Sequence, residues 1–176
     1  EEERVIRAAI AFSNAGCGTP ILIGREELVR EQMAGMGLSP PPGLEIHNAR
    51  LSTHNKRYTD YVYARLQRKG SLRRDCQRMI NQNRNVFAAA MVALGDADAV
   101  VTGTARNWTT CYEDLTRAIG TKKGARVLTL QILIARGRTV FIADTHVHEV
   151  PDGAAIAEIA LGAAAKARSM GQEPRV

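Results

Sequence analysis

Cysteines and long apolar runs are scarce in this chain, and each absence excludes a class of protein. The three cysteines, Cys17, Cys76 and Cys111, are an odd number and form no CxxC pair. That arrangement argues against a disulfide framework and against a zinc site built on cysteine pairs, so we expect reduced thiols in a cytoplasmic protein. The first four residues, three glutamates and an arginine, do not have the pattern of a secretory signal. The longest apolar run, within residues 86–94, is far shorter than the roughly 18 residues that a membrane-spanning helix needs.

The remaining composition is that of an ordinary globular protein. Of its 176 residues, 45% are hydrophobic and 24% are charged, and the 15 glycines and 6 prolines show no fibrous or low-complexity bias. The apolar fraction excludes a disordered tail. The length suits one ordinary domain or two small ones, with a sizeable buried core.

Positive charge is concentrated in one part of the sequence. Residues 50–84 contain ten lysines and arginines against two aspartates, a local charge of +8, whereas the whole chain carries +6. A basic region of this kind attracts anions such as phosphate groups and nucleotides, although a solvated helical face explains it equally well. The tyrosines of the region precede most of its basic residues, and no nucleic-acid-binding motif is present. We therefore do not expect nucleic acid as a partner.

Segments with helical and strand-like periodicity alternate along the sequence. The pattern predicts helices over residues 4–14, 25–36, 58–68, 72–94, 109–119 and 154–170, with Asp152 as the N-cap of the last helix. It predicts strands over 19–24, 44–47, 97–103, 127–135 and 139–143, the last two joined as a hairpin through 136–138. This alternation is typical of a three-layer α/β/α fold with a mostly parallel sheet between helices.

Three stretches of the sequence resemble the phosphotransacetylase family, the phosphate acetyl- and butyryltransferases. They are TPILIG at 19–24, LGDADAVVTG at 94–103 and FIADT at 141–145. Within that family, RLQRKG at 65–70 and TGTARNW at 102–108 are similar to the C-terminal domain of bacterial hybrid malic enzymes. In those proteins an NADP-dependent malic enzyme is fused to a phosphotransacetylase-like domain. The resemblance runs over nearly the whole chain in order.

The resemblance implies a two-lobed phosphotransacetylase-like α/β fold that is truncated in this sequence. Residues 1–103 correspond to the first lobe, and residues 104–176 correspond to the start of the second lobe, cut off at the C-terminus. We therefore expect the serine, arginine and aspartate of active transacetylases to lie beyond Val176. The malic enzyme module, with its NADP and its Mg²⁺ or Mn²⁺, is expected before Glu1.

Two positions depart from the family pattern where members of the family carry arginines. Counted from Gly103, the first of these arginines falls on Glu113, and the second falls on Leu66, beside Arg65. A carboxylate where a phosphate dianion should bind costs electrostatic energy. We therefore expect this domain to bind acyl-CoA, in particular acetyl-CoA, and to have no catalytic residues of its own.

A glycine-containing stretch after the strand predicted over 97–103 is the best candidate for a ligand site. Such turns are where α/β proteins bind ligands. Gly103 allows close approach of the backbone, Arg106 can pair with a phosphate, and Trp108 can stack on an adenine. The residues expected at the ligand are Thr102, Gly103, Thr104, Arg106, Asn107 and Trp108. The alternative is an ordinary turn between a strand and a helix, in which Trp108 only packs.

A second polar group follows the strand predicted over 139–143. Asp144 and Thr145 are expected to contact the ligand in the cleft between the lobes, or else Asp144 caps backbone N–H groups nearby. His146 and His148 would share one face of a strand, a geometry that a metal ion can use. The resemblance implies no metal here, and we expect none.

The expected function is that of a regulatory and oligomerisation domain of an NADP-dependent malic enzyme, which decarboxylates malate oxidatively to pyruvate. Acetyl-CoA would regulate the enzyme allosterically if two states of the assembly bound it with different affinity. The resemblance implies a homo-oligomer, with the malic enzyme module of the same chain as a partner and no membrane contact. The alternative is an active phosphate acetyltransferase, and a third possibility is a scaffold without a ligand.

Overall fold

Helices dominate the computed structural model, which describes residues 2–121 and 124–176. In chain order the elements of these residues are α1 (Glu3–Asn14), β1 (Ile21–Ile23), α2 (Glu26–Gly35), β2 (Glu45–His47), α3 (Asn55–Leu66), α4 (Arg73–Gln82), α5 (Arg84–Ala93), α6 (Trp108–Ala118), β3 (Leu130–Ala135), β4 (Arg138–Ala143) and α7 (Gly153–Ser169). A short 3₁₀ turn, Gln67–Lys69, follows α3. None of these helices is long and apolar enough to cross a membrane.

The chain divides into two compact units, Glu1–Gly120 and Thr121–Val176. The first unit contains α1 to α6 with β1 and β2, and the second contains β3, β4 and α7. The boundary between lobes expected at residues 103 and 104 stays a prediction, because compactness within this segment does not define the lobes of a larger domain.

Each sheet in the described residues has two strands. β1 and β2 pair in parallel, with Ile21 opposite Glu45, and α2 connects them. β3 and β4 pair antiparallel, with Leu130 opposite Ala143. The strand predicted over 97–103 is wrong for the part of the chain that the structure describes. An extended segment becomes a strand only where a neighbouring backbone pairs with it, and here none does.

The long helix predicted over residues 72–94 is also wrong, because it breaks in two at Asn83. This residue has the extended backbone angles φ −108° and ψ 105°, and its side-chain oxygen accepts hydrogen bonds from the backbone N–H groups of Asn85 and Val86. Asparagine is among the best N-cap residues because it satisfies N–H groups that a new helix leaves unpaired. Asn83 therefore ends α4 and begins α5.

The core of the first unit surrounds α5, as the apolar run within 86–94 predicts. Val86, Phe87, Ala89, Ala90 and Met91 are buried there. Phe87 meets Tyr58 of α3 edge-on, with 5.1 Å between the ring centroids. The Tyr58 hydroxyl donates to Asp96 at 2.7 Å. Burial, and then this hydrogen bond, raises the pKa of Tyr58 well above its usual range. A smaller apolar cluster joins α1, α2 and β1 through Ile6, Ile10, Leu22, Val29 and Met33.

The hairpin and the last helix of the second unit are confirmed. β3 and β4 are joined by two residues with left-handed backbone angles, Arg136 at φ 50° and Gly137 at φ 73°. This is the turn geometry that fits the twist of a two-residue hairpin. The Asp152 side chain accepts a hydrogen bond from the Ala155 N–H at 2.7 Å, so it is the N-cap of α7.

Replacing the cap between α4 and α5 tests its contribution to stability. We expect Asn83→Ala to lower the free energy of unfolding by about 1–2 kcal/mol, because two backbone N–H groups lose their acceptor. Urea denaturation followed by circular dichroism measures the change. Gln82→Ala, at the exposed end of α4, is the matched control and should change stability by less than about 0.5 kcal/mol. Equal stability of the two variants would contradict the capping role.

Candidate functional site

A buried carboxylate, Asp114 of α6, organises the region around the predicted ligand loop. It is 2% exposed. Its two oxygens accept hydrogen bonds from Asn83 Nδ2 at 2.7 Å and Asn85 Nδ2 at 3.1 Å. They also form ion pairs with Arg106 Nη1 and Arg117 Nη1, each at 3.1 Å. Four donors therefore compensate the cost of burying this charge, and they join α5, α6 and the loop before α6.

The loop of residues 102–107 is hydrogen-bonded to the start of α5. The Thr102 hydroxyl donates to Asn85 Oδ1 at 2.7 Å. Gly103 has φ 141°, and its carbonyl accepts a hydrogen bond from the Arg106 N–H at 3.0 Å, which closes a turn. Only glycine adopts such a φ readily, so this position depends on the missing side chain. Thr104 is exposed within the turn.

The last two residues predicted at the ligand have structural partners on α6. Asn107 is the N-cap of the helix, because its side-chain oxygen accepts from the Thr110 N–H at 2.9 Å. The ring of Trp108 stacks on that of Tyr112, with centroids 5.0 Å apart and planes 8° from parallel. Trp108 is nevertheless 36% exposed. The structure thus brings the residues from Thr102 to Trp108 together, and their contact with a ligand stays a prediction.

An open cavity of about 490 Å³ lies between α4, α6 and the turn after α3. Leu66 and Glu113, the two positions where the resemblance places family arginines, are both in its lining. They are far apart in the sequence, so only the fold brings them together. The other lining residues are Lys69, Ser71, Asp75, Arg78, Met79, Thr116 and Arg117.

Ion pairs reduce the positive charge that this cavity can offer to an anion. Arg78 pairs with Asp75 at 3.3 Å, and Arg117 pairs with the buried Asp114 at 3.1 Å. Glu113 adds a further carboxylate to the lining. A phosphate dianion here would meet two acidic side chains, where the family pattern provides an arginine in place of Glu113.

The second polar group, in the other unit, is centred on Asp144. Its carboxylate accepts from the Thr129 N–H at 3.0 Å and from the Thr129 hydroxyl at 2.5 Å. It also accepts from the His148 N–H at 3.0 Å and lies 2.5 Å from His148 Nδ1. Burial alone would raise the pKa of Asp144, but the hydrogen bonds from Thr129 and His148 outweigh it and hold the pKa well below its usual range.

These contacts confirm that Asp144 caps backbone N–H groups nearby, whereas its contact with a ligand stays a prediction. Thr145 lies in the same network, with its N–H donating to the Thr129 hydroxyl at 3.0 Å and its own hydroxyl 2.6 Å from His146 Nδ1. Sequence reasoning missed Thr129, because it reaches Asp144 only when β3 and β4 pair. Within 2–121 and 124–176, no group of three or more histidine, cysteine or acidic side chains could hold a metal ion.

The low pKa of Asp144 predicts an acid-sensitive contribution to stability. Because its folded-state pKa lies below the value of about 4 in an unfolded chain, the charged carboxylate stabilises the fold above about pH 4. That stabilisation is lost as the pH falls from there towards the folded-state pKa. Asp144→Asn should lower stability by about 1–3 kcal/mol at pH 7, since its hydrogen bonds no longer reach a charged acceptor. The loss of stability between about pH 5 and 3 should also be smaller in the variant.

Urea denaturation at a series of pH values measures both effects. Glu149→Gln, which removes an exposed carboxylate in the same segment, is the matched control and should follow the wild-type curve. The same acid dependence in Asp144→Asn and in the wild type would show that Asp144 makes no such contribution.

Comparison with known proteins identifies the family over the full length of the sequence. The family model for phosphate acetyl/butaryl transferase matches residues 1–176. The chain is 51% identical to the NADP-dependent malic enzyme of Rhizobium meliloti, covering 100% of this chain and 23% of that protein. It is 41% identical to the probable NADP-dependent malic enzyme of Rickettsia prowazekii, again over 100% of this chain and 23% of that protein. The chain thus spans about a quarter of the length of these relatives.

The fold matches that of a solved phosphotransacetylase. The EutD phosphotransacetylase from Staphylococcus aureus superimposes with a TM-score of 0.86 at 26% sequence identity, covering 98% of this chain and 52% of that one. This match confirms the phosphotransacetylase-like α/β fold that the resemblance implied. The sequence resemblance to malic enzymes is likewise confirmed. The chain belongs to the phosphate acetyl/butaryl transferase family.

Proposed function

We propose that this chain is the phosphotransacetylase-like regulatory and oligomerisation domain of an NADP-dependent malic enzyme, and that it binds acetyl-CoA without transferring the acetyl group. The observation that carries the proposal is the 51% identity to a malic enzyme over the whole of this chain. In the parent protein, NADP and Mg²⁺ or Mn²⁺ would serve the malic enzyme module, and malate would be decarboxylated oxidatively to pyruvate. We place that protein in the cytoplasm, where the three cysteines would stay reduced.

The loss of transfer activity is argued from the cavity beside α6. Acetyl transfer to phosphate needs cations that bind the phosphate dianion and stabilise the negative charge of the transition state. Here Glu113 and Leu66 occupy the positions of two family arginines, and Arg78 and Arg117 are already paired with aspartates. The cavity would therefore bind a phosphate dianion weakly.

Binding of acetyl-CoA is argued from the loop of residues 102–108. An arginine has five N–H donors, and the ion pair with Asp114 at 3.1 Å involves only Nη1 of Arg106. The Arg106 side chain is 43% exposed, so its guanidinium can also reach a phosphate group of the nucleotide. Trp108, two residues further along the chain, is 36% exposed and stacks on Tyr112, and an aromatic ring of this kind suits an adenine.

Regulation requires that acetyl-CoA binds two states of the assembly with different affinity. The Asp114 carboxylate connects the loop to α5, because it pairs with Arg106 of the loop and accepts from Asn83 and Asn85 at the start of that helix. A homo-oligomer in which α5 and α6 shift between two arrangements would couple the loop to the malic enzyme module of the same chain.

The rate of malate-dependent NADP reduction by the full-length protein tests the proposal. We expect acetyl-CoA to change this rate, and Arg106→Ala to raise the half-maximal acetyl-CoA concentration about tenfold, equivalent to about 1.4 kcal/mol. Arg106→Lys keeps the charge, so its half-maximal acetyl-CoA concentration should lie between that of the wild type and that of Arg106→Ala. Arg74→Ala, an exposed arginine of α4, is the matched control and should respond as the wild type does. If acetyl-CoA leaves the rate unchanged, the domain does not sense this ligand.

An active phosphate acetyltransferase is the second candidate, favoured by the family and by the fold shared with the solved phosphotransacetylase. Its reaction moves the acetyl group from the sulfur of acetyl-CoA to a phosphate oxygen, giving acetyl phosphate and CoA. We expect no release of CoA thiol above the uncatalysed rate when the full-length protein is mixed with acetyl-CoA and phosphate. Turnover that disappears in Arg117→Ala would instead support an active site in this cavity.

A further inference from the structure

We propose a second anion site in this chain, a phosphate-binding groove between α3 and α4 that is separate from the proposed acetyl-CoA site. The groove has a volume of about 230 Å³ and is lined by Lys56 and Thr59 of α3 and by Arg73 and Gln77 of α4. All four side chains can donate hydrogen bonds, and two of them carry positive charge. The groove lies within the basic stretch 50–84, whose excess charge the proposed function does not use.

The hydroxyl of Thr59 is the observation that points to a ligand. Thr59 is 2% exposed, and its side-chain oxygen is buried with no hydrogen-bond partner among the described residues. Leaving a buried hydroxyl unpaired is costly, so native proteins usually satisfy such groups. Because Thr59 lines the groove, its hydroxyl can donate a hydrogen bond to an oxygen atom of a bound anion.

The charged groups around the groove favour an anion. Lys56 is exposed and forms no ion pair in the regions that the structure describes. Arg73 donates from Nε at 3.1 Å and from Nη2 at 2.5 Å to Asp60, which fixes the guanidinium and leaves other N–H groups available. Asp60 is the acidic residue that faces this arginine, and it is half exposed to solvent. The lysine therefore supplies the uncompensated charge.

The donor set fits a phosphate group better than a carboxylate. A tetrahedral phosphate presents three or four oxygens, which suits a hydroxyl, an ammonium, a guanidinium and an amide that come from two helices. On one side of the groove, Asn55 Nδ2 donates to Asn81 Oδ1 at 2.9 Å and joins α3 to α4. This bond fixes the two helices that carry the donors relative to each other. Both free phosphate and the phosphate of a monoester have this chemistry.

Titration of the full-length protein with inorganic phosphate, followed by calorimetry, tests the site. We expect Thr59→Val to weaken phosphate binding at least fivefold, although this variant keeps the shape of the side chain. Lys56→Ala should weaken it about tenfold. Arg74→Ala, which removes one positive charge from α4 outside the groove, should bind within twofold of the wild type. Without phosphate, the melting temperature of Thr59→Val should equal or exceed that of the wild type, because an unpaired hydroxyl has been removed.

Three outcomes would overturn the site. Identical isotherms for the wild type, Thr59→Val and Lys56→Ala would show that phosphate binds elsewhere and that a water molecule satisfies the hydroxyl. If Arg74→Ala weakened phosphate binding as much as Lys56→Ala does, the binding would depend only on general electrostatic attraction and not on this groove. Failure of the wild type to bind phosphate or glycerol phosphate at millimolar concentration would exclude the site. Tighter binding of glycerol phosphate than of inorganic phosphate would identify a monoester as the ligand. None of these results depends on a response to acetyl-CoA.

Discussion

The carboxylate of Asp114 is the interaction on which the arrangement around the candidate ligand loop depends. A charge that is 2% exposed is tolerated only with several donors, and here two asparagines and two arginines provide them. Each donor belongs to a different local feature: the cap of α5, the first turn of α5, the loop and the last turn of α6. The same carboxylate therefore contacts the loop, the break between α4 and α5, and the last turn of α6.

Much of the local structure could be predicted from the sequence, because hydrophobic periodicity and capping residues act over a few positions. The buried helix within 86–94, the hairpin around Gly137 and the Asp152 cap are examples. Asn83 was missed because the helical period continues on both sides of it, and only its backbone angles reveal a break. The strand predicted over 97–103 was wrong because strand formation depends on a pairing partner, which the local pattern does not contain.

The turn of the candidate loop could be predicted from the sequence, but its contacts could not. A glycine-containing turn before a helix is a local signal, and it located the loop that begins at Thr102. The partners of that loop are Asn85 of α5 and Asp114 of α6, and they become its neighbours only when the helices pack. The cavity that contains both Leu66 and Glu113 is likewise a product of the tertiary fold, although the two departures from the family pattern were visible in the sequence.

The ion pair between Arg106 and Asp114 has a consequence for the affinity of the proposed acetyl-CoA site. If acetyl-CoA binds at the remaining N–H groups of Arg106 as proposed, its phosphate also experiences repulsion from the Asp114 carboxylate. Binding is therefore weaker than it would be at an arginine without a resident partner. A weak site stays empty while its ligand is scarce and fills only as the ligand accumulates. On the proposed function, the buried Asp114 would thus set the acetyl-CoA concentration at which the loop is half occupied.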